Sequence, residues 1–585
     1  MTGGQTRTEG GGTWTRLRRR KVVQYGLAYV AAAWALLQGI GFVADAFGWP
    51  AAVKQWATIT LPIGLPVVLV IAWYHGDRGQ QRASAPELGL IALLLLTGGG
   101  VLWFYGQRGE PTAAVVVATR VAVPAATPFA PPEKSIAVLP FVDMSEHKDQ
   151  EYFSDGMSEE VLNLLTQIPQ LRVIARTSSF SFKGKTVDVA TIARTLNVAH
   201  VLEGSIRKSG DTVRITAQLI RASDSSHLWS ETYDRKLTDV FRVQDEIAGA
   251  VVAALKLKLL PAQQVTSTHR TADPDAYNQY LLGNQFFNRS TPDGFRRAVT
   301  AYQQAVSLDP GFAAGYARLA TAEAFASDYA ETVAIRSAGR QRALAAADHA
   351  VSLAPDLADG YAERGFLRIN WLWDWDGARA DFVKALVLEP GNSQAQKGLG
   401  ELLISLGRLP ESVAEIKKAV QLDPLTASTW FDLGWVLMAG GQWQDAREAL
   451  NRALEINPES SFGNYGLGCL ELLQGRAKVA LISFRQAGAY WSLAGVAMAE
   501  HSLGHAGESQ RVLNELIARY AQDAAYQIAE VYAWRGQRDQ AFEWLERAYA
   551  QRDGGLSVIK ADALLAPLRM DTRFTAMLKK LGLPP

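Results

Sequence analysis

Apolar positions in the second half of the chain recur with the spacing of paired helices. Between Ser393 and Pro458, the residues Trp430, Leu433, Gly434, Leu437, Ala446, Leu450, Ala453 and Pro458 mark one two-helix unit. Leu399, Gly400, Leu403, Ile416, Ala419 and Pro424 mark the unit before it. A self-similar period of about 34 residues predicts a helical solenoid, in which each unit buries its apolar face by stacking on its neighbours. Pro310, Pro355, Pro390, Pro424 and Pro458 lie 45, 35, 34 and 34 residues apart, so the period settles after one early insertion. Each proline ends a second helix. A first unit carries Leu282, Gly283, Phe286, Ala298, Tyr302 and Ala305, and fainter ones follow around Leu467–Ala487, Ala494–Leu516 and Tyr526–Ala548. About eight units are expected over 270–555, with 556–585 as a cap over the last apolar face.

Before residue 270 the period shifts toward strands. Ile136–Phe141 reads as a buried strand ended by proline, and Leu171–Ala175 as a second. Val201–Lys208, Val213–Arg221 and His227–Tyr233 are separated by Ser209-Gly210-Asp211 and Ser223-Asp224-Ser225 turns. Helices are expected from a cap at Asp155, with Glu159 and Glu160 in the first turn, over Val189–Leu196, and over Asp239–Leu259. This is a small α/β domain over 134–260.

The amino terminus is apolar in three runs, Val22–Val43, Trp56–Tyr74 and Leu88–Tyr105. Runs of this length predict three transmembrane helices over 22–106. Arg16, Arg18, Arg19, Arg20 and Lys21 precede the first and would hold residues 1–21 in the cytoplasm. Three crossings from there place the large C-terminal part outside the cytoplasm. A Pro/Ala-rich linker occupies 107–133. The expected fold is therefore multidomain: three transmembrane helices, a small α/β domain, then an all-α solenoid.

The repeat residues resemble the tetratricopeptide repeat. A second resemblance rests on Ser135-Ile136-Ala137-Val138-Leu139-Pro140-Phe141, Phe153-Ser154-Asp155-Gly156-Met157, Val201-Leu202-Glu203-Gly204-Ser205-Ile206-Arg207 and Leu228-Trp229-Ser230-Glu231-Thr232-Tyr233-Asp234. These four motifs, in order, look like the TolB-like (FlgO-related) domain, which often precedes tetratricopeptide arrays. That resemblance implies a bacterial envelope protein, here one of the inner membrane with its large C-terminal part in the periplasm, and no catalytic residue. Relatives of this architecture frequently attach a winged helix, cyclase or kinase module, and about twenty residues before the first apolar run are too few for one.

Composition narrows the chemistry. A net charge of +1 argues against a broad nucleic-acid face, and a single cysteine, Cys469, excludes an internal disulfide and a Cys-rich metal site. Gly184-Lys185-Thr186 lacks the opening glycine of a phosphate loop, since Ser179 stands there. Ser158 lacks the second glycine of a nucleophile elbow and reads as part of a helix start. His501 and His505 are spaced for one helix face, but no third ligand accompanies them, and Asp374 and Asp376 read as a helix cap. No cofactor or metal is implied.

One feature exceeds the repeat pattern. Phe431, Trp435 and Met438 form a second apolar stripe about 100° from the packing stripe of their helix, and Phe462, Tyr465 and Cys469 fall on the equivalent face of the next unit. In tetratricopeptide arrays that face lines the concave groove. Two coverings are open: the superhelix and tail fill the groove, or a peptide with apolar anchors does. The expectation is a membrane-anchored interaction scaffold for protein or peptide partners. A signalling receptor is the alternative, and an enzyme with an unrecognised α/β site stands behind both. Alanine at Trp435 and Phe431 is expected to abolish capture while leaving thermal unfolding little changed.

Overall fold

The computed structural model describes residues 28–38, 131–236, 239–255, 271–330 and 332–584. The chain divides into two units, Met1–Ala126 and Thr127–Pro585, which are treated separately.

In the first unit the described helix covers residues 28–38. At ~1.5 Å per residue it reaches roughly half of a ~30 Å hydrocarbon core. Among the described residues no helix is long and apolar enough to cross a membrane, which overturns the expectation of three transmembrane helices. Apolar composition alone does not make a span; an unbroken helix of sufficient length is also required. The second and third apolar runs and residues 107–130 of the linker lie outside the described residues.

The second unit opens with a six-stranded sheet ordered β3-β1-β4-β5-β6, with β2 paired to β4. The strands are β1 Ser135–Val138, β2 Val142–Asp143, β3 Arg172–Val173, β4 His200–Ser209, β5 Thr212–Arg221 and β6 His227–Lys236. β1 runs parallel to β3 and β4; β4, β5 and β6 form an antiparallel meander. Period-two alternation splits the core: Ile136 and Val138 face one layer, Ala137 and Leu139 the other. The first layer holds α1 (Glu151–Thr166) and α4 (Val240–Ala254); the second holds α3 (Val189–Leu196). The short α2 (Arg176–Phe180) lies between them in sequence.

Two local expectations are corrected here. α1 begins at Glu151, so Asp155 sits inside the helix and pairs with Lys183 at 2.5 Å instead of capping. Ser158 is likewise interior: its Oγ donates to the Ser154 carbonyl and accepts the Phe141 N–H. Expected residues 256–259 of α4 lie outside the described residues.

Eight antiparallel helix pairs follow. They are α5 Pro274–Phe287 with α6 Pro292–Leu308, α7 Ala313–Asp328 with α8 Val333–Leu353, α9 Ala358–Leu367 with α10 Trp375–Leu388, and α11 Ser393–Ser405 with α12 Leu409–Leu422. Then come α13 Ala427–Ala439 with α14 Trp443–Ile456, α15 Ser461–Leu473 with α16 Ala477–Gln486, α17 Ala489–Ser502 with α18 Ala506–Tyr520, and α19 Ala525–Trp534 with α20 Arg538–Gln551. Within a pair, glycine on the first helix admits a large side chain from the second: a Cβ on Gly434 would lie 2.6 Å from Leu450, and one on Gly468 2.5 Å from Phe484. A π-helical turn, Arg368–Leu372, ends α9, and the Asp374 carboxylate then caps α10 by accepting the Gly377 N–H.

The sheet domain and the solenoid share one core, which runs from β1 through α1 and α4 into α5, α6, α7 and α8. Gly156 of α1 lies so close to α5 that a Cβ there would stand 2.3 Å from Leu281. The solenoid also meets itself. Arg336 of α8 pairs with Asp523 at 2.7 Å, Trp373 stacks on Tyr549 with centroids 5.0 Å apart, and Trp375 Nε1 donates to the Leu581 carbonyl. The early pairs are thus bound to the last pair and to the tail, whose Leu556, Ile559, Leu564, Leu565 and Leu568 are fully buried.

Candidate functional site

The concave faces of the first helices enclose a cavity of about 1000 Å³. Its walls come from α7 through α19, from Thr177 of the sheet domain, and from Asp553–Val558 of the tail. Its floor is a run of touching rings. Trp435 lies 5.7 Å from Phe431, Phe431 5.5 Å from Phe462, and Phe462 5.3 Å from Trp491. Trp491 also meets Tyr465 at 4.7 Å and Tyr490 at 4.9 Å, and Tyr490 meets Tyr520 at 6.0 Å. These separations are those of favourable offset and edge-to-face pairs.

Four of the six residues singled out by the apolar stripe line this cavity: Phe431, Trp435, Phe462 and Tyr465. Their accessibilities differ sharply. Phe462 is 47% exposed, whereas Trp435 is 7% and Tyr465 1% exposed. Met438 and Cys469 are buried in the helix-pair core and do not line it. Adjacent first helices, α13 and α15, pack against each other. Burial pushes the Cys469 thiol well above its ordinary pKa, with Glu530 of α19 and Asp562 of the tail adding to it. The tail therefore forms one wall of the cavity, and Phe462 stays open.

Sequence reasoning missed Tyr490, Trp491 and Tyr520, which complete the ring run. Their signal was the aromatic pair opening α17, in a unit whose repeat pattern is faint. It also missed the carboxylates. Glu363 is raised to about 7 by burial, against a Thr321 hydrogen bond and Arg318, with Asp359 adding to the rise. Asp432 is raised to about 7, by burial first. Lys397 sits 2.8 Å from Glu401 and 3.3 Å from Asp432, and these two outweigh its burial and hold its ammonium charged. Glu530 accepts the Tyr465 hydroxyl at 2.7 Å and is held well above the usual carboxylate range by burial and Asp562. Asp553 accepts the N–H groups of Gly555 and Tyr526.

The other candidates fall elsewhere. His505 Nδ1 lies 2.6 Å from Glu500 in the loop before α18, and the Gly184-Lys185-Thr186 segment is a turn with Gly184 at φ 70°. Among the described residues no group of three His, Cys, Asp or Glu could hold a metal ion.

Residues 132–250 match the family model for the second domain of HilA/YgeH-like transcriptional regulators, and residues 374–425 and 427–460 match tetratricopeptide-repeat models. The C-terminal region thus carries tetratricopeptide repeats. The match to the sheet domain bears a different description from the TolB-like one, which stays a likeness of four motifs. A Rhizobium meliloti (strain 1021) protein named "Putative adenylate cyclase 3" is 40% identical over 193 residues, 33% of this chain and 33% of that protein. The chain spans about a third of the length of this curated relative. Among solved structures, the type IV pilus biogenesis factor PilW is 20% identical, with 34% of this chain and 93% of that one covered at a TM-score of 0.30. A tetratricopeptide repeat protein from Parabacteroides merdae ATCC 43184 is 13% identical, with 45% and 100% covered at a TM-score of 0.34.

Proposed function

We propose that this chain is an interaction scaffold that captures a segment of a protein partner in the ring-lined cavity of its repeats. The observation that carries the reading is Phe462, a large apolar ring 47% exposed within a run of rings that are otherwise buried or half-buried. Phe462 is already about half covered, so burying the rest of its ring is worth roughly half the value of full burial, about 0.7–1.5 kcal/mol, which a partner's apolar anchor supplies. The mechanism is reversible binding: a rigid wall, already ordered by its own packing, spends little conformational entropy on capture.

Selection of a random peptide library on the full chain tests this. Enriched peptides should bind Phe462→Ala at least ten times more weakly than the unaltered chain, while the unfolding midpoint stays put. No enrichment, or enrichment indifferent to the substitution, removes the reading. On the strength of the four TolB-like motifs we place the scaffold among envelope proteins. A reporter fused after Pro585 should be active in the periplasm; activity confined to the cytoplasm rejects that placement.

A second reading has support of its own: the match of residues 132–250 to a regulator domain and the partial likeness to a protein named as a cyclase. In it, the scaffold is the receiving part of a signalling system, and occupancy of the cavity is the signal. Cyclic AMP formation from ATP by the purified full chain would favour an enzymatic version; none is expected.

A further inference from the structure

We infer that the segment taken by the cavity is basic, with Lys or Arg side chains alternating with aromatic or aliphatic ones. The inference rests on the reading of the cavity as a protein-binding groove and deepens it by naming the chemistry of the occupant.

Acidic side chains outnumber basic ones around the cavity. Eight carboxylates line the cavity against four Lys and Arg side chains. Three of the four cations are already engaged by carboxylates: Arg336 by Asp523 at 2.7 Å, Arg340 by Asp328 at 3.4 Å, and Lys397 by Glu401 and Asp432. The fourth, Arg552, stacks over the Trp373 ring at 4.4 Å. Among the described residues, Glu363, Asp423 and Asp553 have no cationic side chain within ion-pair distance, and Glu530, held well above the usual carboxylate range beside Asp562, adds no charge of its own. Burial holds the phenol of Tyr490, in the run of rings, protonated, and Asp553, Asp523, Asp328 and Glu530 add to the effect.

A cavity of this kind presents negative potential and π faces to the same volume. Cations are drawn to both, and a ring face beside carboxylates, screened from water, strengthens each attraction. The open rings supply the apolar half: besides Phe462, Phe325 is 46% and Tyr329 56% exposed on the cavity wall. An acidic segment would add to the uncompensated charge, and a purely apolar one would leave that charge without a counter-ion, although Asp423 and Asp553 keep their internal hydrogen bonds. At about 1000 Å³ the space matches a short segment and not a folded domain.

The test uses the full chain at pH 8 and three fluorescein-labelled ten-residue peptides, alternating Lys-Trp, Gln-Trp and Glu-Trp, read by anisotropy. The Lys-Trp peptide should bind at least tenfold tighter than the Gln-Trp peptide, with Glu-Trp weakest. Phe462→Ala should cost it tenfold or more. Glu363→Gln should weaken Lys-Trp several-fold and leave Gln-Trp unchanged. If Gln-Trp or Glu-Trp binds as well as Lys-Trp and is sensitive to Phe462→Ala, the basic occupant is wrong and the groove reading stands. If Lys-Trp binds but ignores Phe462→Ala, the attraction is to the surface and the inference fails. If no peptide binds and the library yields none, inference and groove reading fall together.

Discussion

Glu159 is the residue on which the joint between the sheet domain and the solenoid can be tested. Its carboxylate, 7% exposed, takes Arg318 Nη2 of α7 at 2.8 Å, Arg176 Nε of α2 at 3.0 Å and Asn284 Nδ2 of α5 at 3.4 Å. Glu159→Ala removes the shared anion and leaves two guanidinium groups facing each other. Breaking a fully buried pair in this way costs about 3–5 kcal/mol. Arg176 and Arg318 keep 21% and 24% of their side-chain surface in water, so roughly 2–4 kcal/mol is expected here. Because one core crosses the joint, the unaltered protein should lose the sheet domain and the first helix pairs in a single transition. Urea unfolding followed by far-UV dichroism and by limited proteolysis of the 131–255 region measures both. Asp234→Asn provides the control: its pair with Arg214 is 2.7 Å long but more than half exposed, so its loss should leave the unfolding midpoint nearly unchanged. A Glu159→Ala loss no greater than the control's, or two well-separated transitions before any substitution, would refute the shared-core reading.

Other consequences follow from burial and charge. Trp435→Ala should cost about 3–5 kcal/mol in urea unfolding, because the ring is buried, whereas Phe462→Ala should cost under ~1.5 kcal/mol; equal costs would mean that the groove floor is packed uniformly. This replaces the expectation that alanine at Trp435 spares stability. Glu363 is raised from 4.5 to about 7 in the fold, so the native state binds its proton more tightly than the unfolded chain. Its contribution is full below pH 4.5 and is lost as pH rises through about 7, at most roughly 3 kcal/mol. Urea midpoints at pH 5 and pH 8 should therefore show Glu363→Gln gaining on the unaltered protein at the higher pH, and a pH-independent gap would sink the assignment. Thr321, Arg318 and Asp359 face the same carboxylate, so they must be left in place. Cys469 should react with Ellman's reagent roughly 100-fold or more slowly in the folded chain than in urea, and prompt native labelling would contradict its burial.

The fold was legible where local rules and packing point the same way. Gly434 and Leu450, sixteen positions apart, are neighbours because the helix-pair turn places them so, and the same spacing recurs at Gly400 with Ile416 and Gly468 with Phe484. α3 has the bounds the sequence suggests because Asp188 caps it by accepting the Thr191 N–H and Asn197 stops it in the left-handed region. Asp155 misled for the opposite reason. It is a good cap type, but Glu151, Phe153 and Lys183 offer the chain an earlier start and an ion pair further along, and tertiary contact outweighs a local preference. The expectation of membrane helices rested on hydropathy alone, and among the described residues no helix is long and apolar enough to cross a membrane.

The site was less legible because its decisive property is collective. A stripe on one helix predicts that Phe431, Trp435 and Met438 share a face, and they do; which of them meets solvent depends on how far the next first helix leans over, and that is set by the whole superhelix. Met438 is covered while Phe462, one unit on, is left open. The carboxylates illustrate the same point more strongly. Glu363, Asp423, Glu530 and Asp553 stand on four different elements, each unremarkable in its own repeat, and curvature alone brings them to one volume. Closure by Arg336 with Asp523, and by Trp375 with Leu581, fixes that curvature. The acidity of the groove therefore depends on contacts remote from it. If the closing contacts are cut, as in Arg336→Ala with Trp375→Ala, the repeats should stay helical while the four carboxylates separate. Preference for a basic peptide over its Gln counterpart should then fall toward unity before the helix signal does. Retention of the full preference in that variant would show that the charge pattern belongs to single repeats and not to the closed superhelix.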